Sequence, residues 1–146
     1  MLGGLTVTHS EGPAARGLSS PVLAAFARVA LALPFVVSGL LKALDFSGAI
    51  AEVRALTGVD ESTASLIAAL VIVVQLGGSA LLLSGRRWAV TGGAALLFGF
   101  TIIATLLAHA WWTREGLDRA RDFTVFVEHI AICGGLALTV VLVWRR

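Results

Sequence analysis

Long apolar segments alternate with short polar ones along this chain, and this pattern indicates its fold class. Four apolar segments, residues 21–41, 64–84, 88–109 and 123–144, each have about the 20 residues that an α-helix needs to cross a bilayer. Sustained apolar character over such a length is typical of membrane-spanning helices and not of strands. The pattern therefore predicts an all-α protein, a four-helix transmembrane bundle whose spans run alternately up and down.

The segment between the first two spans predicts a further, shorter helix. Phe46, Ile50 and Val53 recur at helical spacing within residues 42–63, and Gly58 is placed to end the helix. A one-sided apolar face on a short segment is typical of a helix that lies in the membrane surface. We therefore expect a short amphipathic interfacial helix between the first and second spans.

The other connections and the N-terminus are polar. Gly85, Arg86 and Arg87 form a tight turn, which makes the second and third spans antiparallel neighbours. Residues 1–20 mix Gly, Ser, Thr and Pro without periodicity, which predicts a disordered N-terminal tail. Residues 21–146 then form the four-span membrane domain.

Composition strengthens the membrane assignment and excludes some functions. Hydrophobic residues make up 58% of the chain and charged residues 14%, whereas about a quarter of the residues in soluble domains are charged. A soluble domain of 146 residues could not bury so much apolar surface. The net charge is only +2 and the basic residues are scattered, so nothing indicates a nucleic-acid partner. The sequence contains no metal-ligand spacing and no catalytic motif.

Polar residues inside the spans gather in the half of the bundle away from the termini. Thr101, Thr105 and His109 are four residues apart, so they share one face of the third span. Glu128 and His129 lie at a similar depth in the fourth span, as judged from the helix rise. We predict a polar pocket whose candidate ligand-binding residues are Gln75, Thr101, Thr105, His109, Trp112, Glu128 and His129.

Structural roles remain open for several of these residues. The two threonine hydroxyls can hydrogen-bond to carbonyl groups of their own helix. His109 stands near two tryptophans and suits an interfacial position as well as a functional one. Glu128 is the strongest candidate, because an ionisable group within a span usually faces partners or water. Arg28, a candidate intramembrane charge in the first span, either reaches the head groups or pairs inside the bundle.

Three glycine pairs occupy the other half of the membrane domain. Gly77-Gly78, Gly92-Gly93 and Gly134-Gly135 lie from mid-membrane towards the side of the termini. Small residues allow helix backbones to approach closely in lipid, where no hydrophobic effect drives association between helices. We therefore predict that this half of the bundle is tightly packed.

Several short motifs occur in order along residues 25–142. They are Arg28, Ser38-Gly39-Leu40-Leu41-Lys42, Asp45-Phe46-Ser47-Gly48, Leu76-Gly77-Gly78, Leu81-Leu82-Leu83-Ser84-Gly85, Phe100-Thr101, Ala104-Thr105, His109, Trp112 and residues 126–136. In this order and spacing they resemble the DoxX family of small four-helix bacterial membrane proteins. The chain departs from that family at Gln75, where glutamate is usual, and at His129, where asparagine is usual. The first departure puts a proton or ligand role of the family's acid in doubt here.

The resemblance implies a role in membrane redox chemistry. It suggests a membrane subunit or anchor of a redox system, which would be quinone-linked or act on sulfur compounds or in oxidative stress. One such role is that of a non-catalytic subunit of a quinone-linked oxidoreductase. A quinone would be the cofactor, with Thr101, Thr105 and His109 hydrogen-bonding its carbonyl oxygens and Glu128 exchanging protons. Soluble redox enzymes and further copies of the chain are the implied protein partners. The alternatives are a small oligomeric permease or exporter, and a purely structural membrane anchor.

The location that these features imply is the bacterial plasma (inner) membrane, with the chain crossing it several times. Basic residues are equally numerous on the two sides of the predicted bundle. Arg28 and the Arg86-Arg87 pair favour an orientation with both termini in the cytoplasm. The predicted pocket would then open towards the outer face.

Overall fold

The protein folds into helices joined by short connections. The structure, a computed structural model, describes residues 21–145. The helices are α1 (Pro21–Leu44), α2 (Phe46–Thr57), α3 (Glu61–Leu83), α4 (Arg87–Ala108), a 3-10 helix (Trp111–Thr113) and α5 (Gly116–Trp144). Of these, α1, α3, α4 and α5 are long and apolar enough to cross a membrane. This confirms the predicted all-α, four-helix membrane fold; the prediction of a disordered tail falls outside the described residues.

The last helix differs most from its predicted boundaries. It begins at Gly116, seven residues before the predicted start of the fourth span, and Gly116 adopts a left-handed φ of 59°. The additional turns are rich in charged residues, so hydropathy alone could not assign them to the helix. This early start brings Asp122 into the folded bundle, where it is 4% exposed.

The predicted short helix between the first two spans is present as α2. Asp45 caps its N-terminus by accepting a hydrogen bond from the Gly48 backbone N–H at 2.9 Å. The same bond, together with one from the Ser47 hydroxyl, holds the pKa of Asp45 below its usual range. Gly58 ends the helix with a left-handed φ of 71°, as its position predicts. α2 packs mainly on α3 and also contacts α1 and α4.

The four long helices form a ring in chain order. α3 packs between α1 and α4, and α4 packs between α3 and α5. The contact between α1 and α5, which closes the ring, is much smaller than these. The core of the ring lies in the half towards the termini. Its buried apolar residues are Ala32, Phe35, Leu82, Val90, Ala94, Leu97 and Leu136.

The glycine pairs contribute to this packing through the second residue of each pair. A Cβ on Gly93 would lie 2.5 Å from the Gly78 carbonyl oxygen, so the α3 and α4 backbones meet there. A Cβ on Gly135 would lie 2.7 Å from a Leu31 methyl group, at the contact between α5 and α1. The first glycine of each pair has no neighbour within 4 Å of a Cβ. The predicted close packing is confirmed for the second glycine of each pair and not for the first.

The start of α3 depends on the charge of Asp60. The Asp60 carboxylate accepts hydrogen bonds from the Ser62 and Thr63 backbone N–H groups at 3.0 and 3.1 Å. It also accepts bonds from both hydroxyls, at 2.5 Å from Ser62 and 2.7 Å from Thr63. These donors favour the charged carboxylate and hold the pKa of Asp60 far below its usual range.

We expect Asp60 to make the stability of the protein depend on pH in acid. A carboxyl whose pKa is depressed in the folded state stabilises at neutral pH, and this contribution fades as the pH falls below about 4, its unfolded value. Thermal unfolding in detergent should show wild type more stable than Asp60→Asn near neutral pH, with the difference narrowing between about pH 5 and about pH 2. Asp118→Asn, at an exposed position of the same chain, is the control. A stability difference between wild type and Asp60→Asn that stays constant with pH would contradict this role of the Asp60 carboxylate.

Candidate functional site

A polar cavity lies between the four long helices, in the half of the bundle that is nearer the long connections. Its volume is about 210 Å³. This is below the range of roughly 300–1,000 Å³ for sites that hold drug-sized ligands, so it suits a small molecule or a head group. The polar side chains that line it are Ser38, Lys42, Glu52, Gln75, Thr101, His109 and His129. Phe35 and Phe100 contribute apolar walls and pack edge to face, with ring centroids 6.2 Å apart.

Gln75, which lines this cavity, carries a buried hydrogen-bond acceptor that has no partner among the described residues. It is 3% exposed, and its side-chain Nε2 donates to the Ser38 hydroxyl at 3.1 Å. Its Oε1 atom accepts no hydrogen bond from any group in residues 21–145. A buried polar atom without a partner costs about 1–3 kcal/mol, so a ligand that donates to Oε1 would recover much of this cost.

His129 is held in one tautomer by Thr105. The Thr105 hydroxyl donates to the Thr101 carbonyl at 2.5 Å, which uses the only hydrogen that this hydroxyl has. The contact of 2.7 Å between Thr105 Oγ1 and His129 Nδ1 is therefore donated by the histidine. In neutral His129 the proton thus lies on Nδ1, and Nε2 is left as an acceptor for a ligand.

Asp122 orients the second histidine of the cavity. One oxygen of its carboxylate lies 3.4 Å from His109 Nδ1, and the other lies 3.4 Å from Arg114 Nε. The Asp122 side chain is 5% exposed, whereas those of His109 and Arg114 are 26% and 49% exposed. The ring of His109 also lies 5.4 Å from that of His129, centroid to centroid. The cavity is therefore connected through His109 and Asp122 to the charged surface above it.

An ion pair stands at the rim of the cavity, between α1 and α2. Lys42 and Glu52 are hydrogen-bonded to each other, and both line the cavity. The two residues also line an apolar groove of about 490 Å³ between α2, α3 and α4. The polar cavity and the apolar groove therefore meet at this ion pair.

Not all of the predicted pocket residues face the cavity. Gln75, Thr101, His109 and His129 line it, and Thr105 lies behind His129 as its hydrogen-bond partner. Both threonine hydroxyls donate to carbonyls of their own helix, at 2.7 Å for Thr101 and 2.5 Å for Thr105. Because each hydroxyl has only one hydrogen, both threonines show the structural role that the sequence had left open beside ligand binding.

Like Thr105, the predicted residues Glu128 and Trp112 do not line the cavity. Glu128 is exposed on the outer face of α5, because it precedes His129 by one residue and so points about 100° away from it. Trp112 is 51% exposed, and its ring packs on Phe126 of α5, with centroids 6.3 Å apart. The carboxylates at the site are instead those of Glu52 and Asp122.

The site also contains residues outside the predicted set, namely Ser38, Lys42, Glu52 and Asp122. Lys42 and Glu52 lie on different helices on either side of the Asp45 turn, and no helical spacing relates them. Asp122 lies in a run of charges that resembles an ordinary solvated loop. One feature of the sequence could have indicated Asp122: it is a carboxylate directly before an apolar span that contains a histidine, His129.

The fold and the cavity together define a small multi-pass membrane protein with a polar cavity between its spans. Within this class the chain belongs to the MauE family, because residues 20–118 match the family described as "Methylamine utilisation protein MauE". The DoxX resemblance is confirmed only in its coarser part, a small membrane family, since MauE is the family that matches. The matched residues include Gln75 and His109 but end before Asp122 and His129. No curated protein and no solved structure matches the chain.

Proposed function

We propose that this protein is a membrane subunit or anchor of a redox system, and that its polar cavity holds the head group of a quinone in its reduced, hydroquinone form. The observation that carries the proposal is a pair of acceptors, Gln75 Oε1 and His129 Nε2, on two residues that line one cavity. A hydroquinone has two hydroxyl groups, and each can donate one hydrogen bond. Two acceptors therefore match the reduced head group better than the oxidised one, which has only acceptors of its own.

The surroundings of the cavity favour an amphipathic ligand of this kind. The cavity is small enough for a head group, and its Phe35 and Phe100 rings offer apolar faces to an aromatic ring. The adjoining groove has almost no polar lining and meets the cavity at the Lys42–Glu52 ion pair. An isoprenoid tail could leave the cavity in this direction and remain among apolar side chains.

The two histidines would move the protons. For the reduction of a quinone, protonated His129 would give its Nε2 proton to a quinone oxygen, and the neutral ring would then accept a hydrogen bond from the resulting hydroxyl while Thr105 holds the ring in place. His109 lies beside His129 and contacts the buried Asp122, which in turn contacts Arg114 at the surface. His109 and Asp122 would therefore pass protons between the cavity and the side of the long connections.

Electrons would come from a partner enzyme. A bound quinone would supply the electron acceptor, for two electrons from a soluble dehydrogenase and two protons that His129 and His109 would deliver. The name of the family links its members to methylamine utilisation, and the oxidation of an amine needs such an electron acceptor. We assign the protein to the bacterial inner membrane with cytoplasmic termini, because Arg28, Arg86 and Arg87 gather at the end of the bundle that holds the termini.

Replacing Gln75 by leucine tests the acceptor that carries the proposal. We expect Gln75→Leu to fold and to retain about tenfold less hydroquinone than wild type, since one hydrogen bond to a buried group is lost. The measurement is mass spectrometry of quinones that remain with protein purified in native lipid, followed by titration with a short-chain hydroquinone. Ser79→Ala is the matched control, because Ser79 is buried one turn away on α3 and does not line the cavity.

Two outcomes would contradict the proposal. One is that wild type retains no quinone and binds no added hydroquinone. The other is that methylammonium, a small donor that the same two acceptors could hold, displaces the hydroquinone at low concentration. The neighbouring Lys42 ammonium group argues against a cationic ligand at this position.

A further inference from the structure

A second cavity lies at the opposite end of the bundle, on the side of the termini. Its volume is about 240 Å³, and α1, α4 and α5 form its walls. Arg28 of α1 and Arg87 of α4 both line it, beside Gly85 and Thr139. Arg28 is partly buried and lines the cavity, so its side chain is not wholly surrounded by solvent. Two cationic groups that share one small cavity repel each other unless an anion lies between them.

Arg87 is held in position by aromatic side chains. Its guanidinium lies over the ring of Trp144, 5.4 Å from the ring centroid. Trp144 is itself fixed, because its Nε1 donates to the Thr91 hydroxyl at 3.0 Å and its ring packs edge to face on Trp88 at 4.6 Å. This arrangement gives Arg87 a defined direction before any ligand is bound.

The tryptophans also indicate the depth of the cavity in the membrane. Trp88 begins the apolar part of α4, and Trp144 ends α5. Tryptophans at the two ends of membrane spans lie at the level of the lipid head groups. The cavity that Arg28 and Arg87 line is therefore at the depth of the lipid phosphates.

The charges of the described residues make this end of the bundle a surface for anions. Four arginines lie at this end, namely Arg28, Arg86, Arg87 and Arg145. Every carboxylate side chain within residues 21–145 lies in the opposite half, at Asp45, Glu52, Asp60, Glu61, Glu115, Asp118, Asp122 and Glu128. No acidic side chain in the part of the chain that the structure describes can therefore neutralise Arg28 or Arg87.

We propose that this cavity binds the phosphate group of an anionic phospholipid, with Arg28 and Arg87 as its ligands. Guanidinium groups form planar, paired hydrogen bonds to phosphate oxygens, and basic cavities between membrane helices bind anionic lipid head groups. The site is independent of the quinone cavity and lies at the other end of the bundle. The lipid would connect α1 to α4 and α5, next to the weakest side of the helix ring.

The test compares lipids that remain with the full-length protein in native mass spectrometry. We expect wild type to retain phosphatidylglycerol about tenfold better than phosphatidylcholine. Both lipids carry a phosphate, but the choline ammonium of phosphatidylcholine would lie close to the two guanidinium groups and be repelled by them. Arg28→Gln and Arg87→Gln should each remove most of this preference, whereas Arg87→Lys should keep part of it. Arg86→Gln is the matched control, because Arg86 is adjacent in sequence and exposed but does not line the cavity.

Three results would overturn the proposal. Equal retention of the two lipids by wild type would show that the cavity does not select anions. An equal loss in Arg86→Gln would show that total charge, and not this cavity, attracts the lipid. Displacement of phosphatidylglycerol by millimolar inorganic phosphate would show a site for free phosphate and not for a lipid. Gel filtration and circular dichroism of each variant separate a loss of lipid from a loss of fold.

Discussion

Replacing Gly93 by alanine should destabilise the protein by at least about 2 kcal/mol, as expected for an overpacked contact between helices. The added methyl group would lie 2.5 Å from the Gly78 carbonyl oxygen and 2.6 Å from the Leu82 backbone nitrogen. Both are backbone atoms, so no side-chain rotation can relieve the contact. The α3 and α4 helices, which carry Gln75 and Thr101, would have to move apart. Unfolding by denaturant titration in mixed micelles, followed by circular dichroism, measures the change.

The adjacent glycine provides the control. A Cβ on Gly92 would have no neighbour within 4 Å, so Gly92→Ala meets no steric obstacle. We expect its stability to be equal to wild type or higher by up to about 1 kcal/mol, because alanine favours the helix more than glycine does. Similar losses in the two variants would indicate that helix flexibility, and not close backbone approach, explains the glycines.

Replacing His129 by leucine should lower the affinity for hydroquinone by about 10- to 100-fold, the range expected for loss of a hydrogen bond worth roughly 1.5–3 kcal/mol. Leucine keeps much of the volume of the side chain but removes the Nε2 acceptor and the bond to Thr105. His129→Gln should recover part of the affinity, because an amide can also accept a hydrogen bond. Titration of the purified protein with a short-chain hydroquinone gives the affinities.

Glu128→Gln is the matched control for His129→Leu, since the two residues are neighbours that point in different directions. Glu128 is exposed and lies outside the cavity, so we expect its substitution to change the affinity by no more than about twofold. A large effect in Glu128→Gln with none in His129→Leu would place the ligand on the outer face of α5. That result would contradict the assignment of the cavity.

The membrane fold was readable from the sequence because it depends on local properties. A span needs about 20 apolar residues in a row, and this requirement can be read without knowing what each helix contacts. The end of α2 was also readable, because Gly58 acts on the end of its own helix. The close packing of the glycine half followed from composition in the same way, although the sequence could not show which glycine of each pair is at the contact.

The candidate site was only partly readable, because it depends on how each helix is rotated about its axis. Glu128 and His129 have the same depth and adjacent positions, and their chemistry favours the carboxylate as the intramembrane site. The rotation of α5 turns His129 towards Thr105 and leaves Glu128 outside. A rotation is set by packing against neighbouring helices, and the sequence of one span contains little information about it.

The sequence by itself determined that this protein crosses a membrane as four helices, and that polar side chains collect in one half of them. The tertiary structure alone decided which of these side chains meet. It brought Asp122 to His109 through an early helix start, Glu52 to Lys42 across a turn, and Arg28 to Arg87 at the other end. Each pairing joins residues of different helices at unrelated spacings, so only the three-dimensional packing could show it.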